Sequence, residues 1–243
     1  MNFQYATLSM QGGRDYNEDY CDSISLDANI NCWVVADGLG GHGGGDVASK
    51  LAVNAILNVI KVRPDMGIKA LESQFNAAHI AILDGQKQSL SLGHMQTTAV
   101  ILLIHNDLAI WGHIGDSRLY YFHDGIINQQ TKDHSVPQML VKAGELDLSE
   151  IRFHEDRNRL TRSIGGEDTI KPHIEKVPIT IYQGDTFLLC TDGFWEYVFE
   201  VEMEEDLKQA STIDNWLHLM EKRLLARAPQ HNDNYSATVI RII

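Results

Sequence analysis

Residues 97–127 read TTAVILLIHNDLAIWGHIGDSRLYYFHDGII. Three strand-like runs lie within them, Thr97–Ile104, Leu108–Ile114 and Arg118–His123, separated by short links. Asn106-Asp107 falls between the first two, and Asp124-Gly125 separates Tyr120–His123 from Ile126-Ile127. Short turns of Asn, Asp and Gly join antiparallel neighbours, whereas parallel strands need a crossover of about a dozen residues or more. The stretch therefore predicts antiparallel sheet. Further strand-like runs lie outward from it at Gln4–Ser9, Asn31–Ala36, Thr186–Cys190 and Ala237–Ile242.

Helical periods interrupt the strands early and late. Over Asp46–Val62, Val47, Leu51 and Ala55 fall on one face, with Ala48, Ala52, Ile56, Val59 and Ile60 beside them, a wide apolar stripe. Met66–Gln88 behaves similarly, and a third helix is expected around Ile213–Arg227. Antiparallel strands with segregated helices predict an α+β fold, a four-layer α-β-β-α sandwich in which two sheets pack face to face under helices. No Ser/Gly-rich linker divides the 243 residues, and a single domain spanning 1–243 is expected. Ser135–Gly166 stands apart as a polar excursion with a short helical piece, Val136–Ala143, and a basic run, Arg157-Asn158-Arg159 and Arg162. It reads as a flap.

The balance of 20 basic against 33 acidic residues gives a net charge of −13, which argues against a nucleic-acid partner. The acidic cluster Glu200 to Asp206 reads as a solvated helix start. No apolar run approaches the roughly 18 residues of a membrane span, and the first residues lack the pattern of a signal peptide. Three cysteines, Cys21, Cys32 and Cys190, make no disulfide framework, and the expected location is the cytoplasm. Cys190, Trp33 and Trp111 read as core residues.

The chemistry lies in five separated segments, mostly after strand-like runs: Asn17-Glu18-Asp19, Ala36-Asp37-Gly38, Gly115-Asp116-Ser117, Thr191-Asp192-Gly193 and Asp233-Asn234. A carboxylate at a strand end, beside a residue that lets the chain turn, projects its oxygens into a crevice. Several such carboxylates predict a cage for hard divalent cations, Mg²⁺ or Mn²⁺. Asp37 can bridge two ions, the glycines after it let backbone atoms approach, and Asp192 and Asp233 can complete the cage. Two ions roughly 3.5–4 Å apart would serve in-line attack on a phosphoryl group. Arg14 suits the outer phosphate oxygens, and His42 has the pKa range of a proton donor. Singly, each residue has a plain alternative: a turn, a loop histidine, a surface ion pair.

In their order along the chain these segments closely resemble the metal-dependent protein phosphatases of the type 2C class, in their compact bacterial form. The matching segments are Arg14 to Asp19, Ala36 to His42, Gly115 to Arg118, Asp133-His134-Ser135, Asn158 to Arg162, Thr191-Asp192-Gly193 and Asp233-Asn234. The resemblance implies a binuclear Mn²⁺/Mg²⁺ centre held by Asp37, the carbonyl of Gly38, Asp192 and Asp233. It further implies a third, weaker ion at Asp19 and Asp116, Arg14 as phosphate clamp and His42 as general acid. The offset of His42 from Asp37 differs from that in the animal enzymes. The implied activity is hydrolysis of phosphoserine and phosphothreonine in proteins by an activated water, opposing a eukaryotic-like Ser/Thr kinase. A monomer is the expected form of a compact chain with no obvious exposed apolar face. One departure is Gln96, where the family usually has glycine.

Two other readings compete. Gly38, Gly40 and Gly43 satisfy a dinucleotide fingerprint, but Asp37 would repel a pyrophosphate, and a second helix follows where a parallel strand is needed. A catalytically silent relative would be expected to have lost carboxylates that are present here. No cysteine is followed by arginine at the spacing of thiol-dependent phosphatases.

Overall fold

The computed structural model describes residues 1–26, 29–40 and 44–243. In chain order its elements are β1 (Phe3–Met10), β2 (Asp19–Leu26), β3 (Ile30–Leu39), α1 (Gly45–Val62), α2 (Ile68–Gln86), β4 (Gln96–Thr97), β5 (Ala99–His105) and β6 (Leu108–Ile114). There follow β7 (Arg118–His123), β8 (Ile126–Gln130), α3 (Val136–Ala143), β9 (His173–Ile174), β10 (Ile179–Thr180) and β11 (Thr186–Cys190). The chain ends with α4 (Asp192–Trp195), α5 (Glu200–Gln209), α6 (Ile213–Arg227) and β12 (Tyr235–Ile242).

One sheet has the order β1-β12-β11-β7-β8, and the other runs β10-β6-β5-β3-β2 with β4 on β3 and β9 on β6. The recorded strand pairings are antiparallel. The predicted turns carry the backbone geometry that tight hairpins demand. Asn106 sits at φ 56° between β5 and β6, and Asp124 and Gly125 sit at φ 51° and 76° between β7 and β8. Because β3 is antiparallel to both β2 and β5, the glycine loop after it belongs to no parallel βαβ unit, which removes the dinucleotide reading.

Side-chain alternation along the strands sorts the core into three layers. On β3, Trp33 and Val35 face the other sheet and pack with Leu102, Trp111, Phe187 and Ile240. Their neighbours Cys32, Val34 and Ala36 face α1 and α2, against Ala52, Ile56 and Phe75. On β11, Leu188 and Cys190 instead join Trp195, Met203 and Trp216 beneath the late helices. The order helix, sheet, sheet, helix is the expected four-layer sandwich.

Several details differ from expectation. On α1 the deepest line is Ala48, Ala52, Ile56 and Ile60, while Val47 and Leu51 are half-buried, since the helix is wedged between a sheet and α2 and buries a wide face. The strand expected over Thr97–Ile104 is two strands, because Thr97 pairs with Gly38 while β5 pairs with the earlier part of β3. The helix start at Glu200 is only partly solvated. Asp206 is buried and accepts from Arg223 at 2.8 Å, and Glu202 accepts from Arg223 and Arg227.

Candidate metal centre and phosphate site

The topology carries the acidic segments to one end of the sandwich. β2 begins at Asp19 opposite Asp37, near the end of β3, so Asp19 and Asp37 are direct cross-strand partners, and β3 continues past Asp37 to Leu39 against β4. Asp192 opens α4 two residues past the end of β11, Asp233 lies two residues before β12, and Asp116 sits in the turn between β6 and β7. Asp19, Asp116 and Asp192 are buried. Arg14 Nη2 bonds Asp233 Oδ2 at 2.7 Å, at the rim. Asp19, Asp37, Asp116, Asp192, Asp233 and Arg14 are thereby brought to one crevice, with Gly38 at its edge. His42 lies outside the described residues.

The electrostatics of this crevice are those of carboxylates short of positive charge. Burial raises Asp19 to about 8, with Asp192 and Asp233 adding to the effect. Burial raises Asp192 to about 6, again with help from Asp233, while a hydrogen-bonding contact with Asp37 opposes the shift. Asp37 and Asp116 are pushed well above the ordinary carboxylate range, first by burial and next by Asp192. Two oxygens, Asp19 Oδ1 and Asp192 Oδ1, are buried with no hydrogen-bond partner. Orphaned anionic oxygens are expensive to bury unless a cation meets them. Among the described residues no three His, Cys, Asp or Glu side chains close on one point as a finished cage. The carboxylates ring the crevice instead, an arrangement suited to Mg²⁺ or Mn²⁺, which keep water in their open positions. By donor chemistry and by these orphaned atoms, the residues fit such ions.

A second set of residues fixes the ring in place. Thr98 Oγ1 accepts from the Asp37 amide at 3.0 Å and bonds Ser117 Oγ at 2.7 Å, while Thr97 Oγ1 donates to the Asp37 carbonyl at 2.7 Å. Thr191 Oγ1 donates to Asp19 Oδ2 at 2.9 Å. Asn234 donates to the carbonyls of Gln11 and Tyr16 at 2.7 and 2.8 Å and accepts from the Glu18 amide at 2.8 Å, which pins the loop carrying Arg14. Gly115 stands at φ +98°, where a Cβ would lie 2.4 Å from Thr98 Cγ2. Its amide donates to His134 Nδ1 at 3.2 Å and its carbonyl accepts from the His134 amide at 2.9 Å, so His134 sets the turn that presents Asp116. Burial holds that imidazole near pKa 3, with His113 and Arg162 adding to the depression. Arg118 grips Asp133 through two nitrogens at 2.8 and 2.7 Å and stacks 3.4 Å over the Trp195 ring, whose Nε1 donates to the Asp116 carbonyl.

Sequence reasoning gave no role to Glu196. It lies one helical turn beyond Asp192, and burial, then Asp192, raise it to about 7 while Arg157 bonds it at 2.7 Å and opposes the shift. The spacing of four residues from Asp192 was the available signal. The segment Ser135–Gly166 is also better anchored than a loose insertion. Ile151 and Arg152 are buried, and Arg152 donates to the Trp195 carbonyl at 2.6 Å. Gln96, the departure from the family pattern, pairs with Leu39 and accepts from Ser163 Oγ at 2.6 Å, where that segment returns.

Residues 11–233 match the family described as Protein phosphatase 2C. The chain is 30% identical over 205 residues to the serine/threonine phosphatase stp of Listeria monocytogenes, covering 82% of this chain and 81% of the relative. Its fold matches the crystal structure of the Mycobacterium tuberculosis serine/threonine phosphatase PstP/Ppp with a TM-score of 0.86 at 29% identity, over 99% and 98% of the two chains. The catalytic domain of PstP in complex with two manganese ions matches with a TM-score of 0.84 at 28% identity, over the same shares. With the acidic crevice at the end of its double sheet, this chain belongs to the protein phosphatase 2C family.

Proposed function

We propose that the carboxylate crevice hydrolyses phosphoserine and phosphothreonine esters in proteins, as a metal-dependent serine/threonine phosphatase. The observation that carries this reading is the ring of Asp19, Asp37, Asp116 and Asp192, buried or half-buried carboxylates with two orphaned oxygens and too little positive charge. Family membership and the two manganese ions of the PstP structure support it. Asp37, the Gly38 carbonyl, Asp192 and Asp233 would hold two Mn²⁺ or Mg²⁺ ions, and Asp19 and Asp116 would serve a third, weaker site. When bound, such ions supply charge neutralisation at the phosphoryl group and a stronger nucleophile than bulk water.

The chain's own groups then bind and orient. Arg14 is more than half exposed and engages Asp233 through one nitrogen, which leaves other donors of its planar fork for phosphate oxygens. Thr97 and Thr98 hold the Asp37 backbone, with Ser117 bracing Thr98, so that the Asp37 carboxylate keeps one direction. The segment 135–166 borders the crevice through Arg157 and Glu196 and acts as a flap within a single domain of 1–243. His42 keeps its sequence-based assignment as proton donor. The partners this reading implies are phosphoproteins, with a Ser/Thr kinase acting in the opposite direction. A cytoplasmic monomer is the form proposed, and among the described residues no helix is long and apolar enough to cross a membrane.

The deciding experiment is phosphate release from a phosphothreonine peptide with Mn²⁺, with Mg²⁺ and with excess EDTA, beside Asp37→Asn. Release is expected only with metal and only in the wild type. A folded protein that releases nothing under any metal would instead be a silent relative.

A further inference from the structure

A groove of about 1140 Å³ opens along α3, between that helix, the segment after β8 and His173 of β9. It exceeds the roughly 300–1,000 Å³ of a small-molecule pocket. Its lining is unusual for so acidic a chain. Lys132, Lys142 and Arg162 all face it, and among the described residues none of the three has a carboxylate partner within salt-bridge distance. Of the two acids on its wall, Asp133 already accepts from Nε and Nη2 of Arg118, and Glu175 faces His173 at 3.6 Å. Apolar surface stands beside the cations, with Met139 61% and Leu148 51% exposed.

The groove lies next to the crevice's supporting residues. Its wall includes Asp133 and His134, and these are the residues that hold Arg118 and the Gly115–Asp116 turn. A ligand for this surface has to be anionic and apolar together, longer than a metabolite, and narrow enough to enter a concavity. A bilayer surface meets the first condition and fails the last. We propose that the groove docks an acidic, leucine-bearing segment of the protein substrate, at a distance along the substrate chain from its phosphoester. This rests on the phosphatase reading and extends it to substrate choice. Uncompensated cations attract and orient such a segment, and the exposed apolar side chains gain by being covered.

The test uses the full chain with two fluorescent peptides lacking phosphate, one carrying Asp, Glu and Leu, the other Lys and Ser in the same positions. Anisotropy is expected to show binding of the acidic peptide only, weakened by added salt. Lys132→Glu with Lys142→Glu should weaken that binding roughly tenfold or more, as should Met139→Ser to a lesser degree. With phosphothreonine versions, the same variants should raise KM for the acidic peptide while kcat, and turnover of para-nitrophenyl phosphate, stay unchanged. Equal binding of both peptides, or an acidic preference that survives the charge reversals, would overturn the proposal. So would variants that lose binding to phosphatidylserine vesicles while retaining the acidic peptide. Absence of para-nitrophenyl phosphate turnover in the wild type would count against the phosphatase reading, and the anisotropy result would stand apart from it.

Discussion

Asp19 and Asp37 face each other across the β2–β3 ladder, a placement that repels when both are ionised. Burial raises Asp19 to about 8, so between its ordinary value near 3.8 and about 8 the folded chain holds a proton that the unfolded chain releases. Stability of the metal-free protein is therefore lost as pH rises through that window, and the full penalty stands above it. Asp19→Asn keeps an acceptor for Thr191 and removes the charge. It is expected to raise Tm in EDTA by several degrees at pH 8 and by little at pH 4, as read by thermal denaturation. A lower Tm at pH 8 would mean that the carboxylate is compensated. At the rim, Arg14→Ala is expected to raise KM for a phosphopeptide about tenfold, with a smaller fall in kcat. Steady-state kinetics decide it, and an unchanged KM would remove Arg14 from phosphate binding. That Asp37, Asp192 and Asp233 would gather at one crevice was legible from sequence because each lies in or near a strand end and next to a turn-forming residue. Glu196 was not, because it lies inside a short helix and only its burial beside Asp192 gives it meaning.

Among the elements, the junction of β3, the N-terminus of α1 and the loop before β2 bears the tightest constraint. A Cβ on Gly38 would lie 2.0 Å from the Gly45 carbonyl oxygen and 2.6 Å from that of Glu18, both backbone atoms that cannot rotate away. Gly38→Ala is expected to destabilise the protein by roughly 1–3 kcal/mol, measured by urea denaturation, and to lower activity as α1 shifts from the crevice. Wild-type stability and rate together would show that the junction has slack. The hairpins β5–β6 and β7–β8 were legible because Asn106 and Asp124-Gly125 are residues that accept positive φ. β2 escaped detection. Its pattern DYCDSISL is polar at several positions and becomes a strand by pairing along its whole length with the buried β3.

For the whole molecule, the sandwich brings its acidic strand ends together in a chain that already carries −13. Mn²⁺ would relieve that repulsion, and it competes with protons held by Asp192 near 6 and Asp19 near 8. The rise in Tm caused by Mn²⁺ should accordingly be larger at pH 8 than at pH 6, and small at pH 5. Differential scanning calorimetry with and without the ion checks this, and a pH-independent rise would place the ion away from these carboxylates.

By itself the sequence determined the antiparallel strands, the helical stripes and the chemical character of the acidic turns, because these depend on side-chain period and on backbone freedom over a few residues. The register that sets Asp19 opposite Asp37 was decided only by tertiary structure. So were the Asn234 bonds that pin the Arg14 loop, the His134 grip on Gly115 and the cationic groove along α3. Their partners lie far apart in the chain, or gain their surroundings only when separate elements pack, and no local pattern encodes that distance.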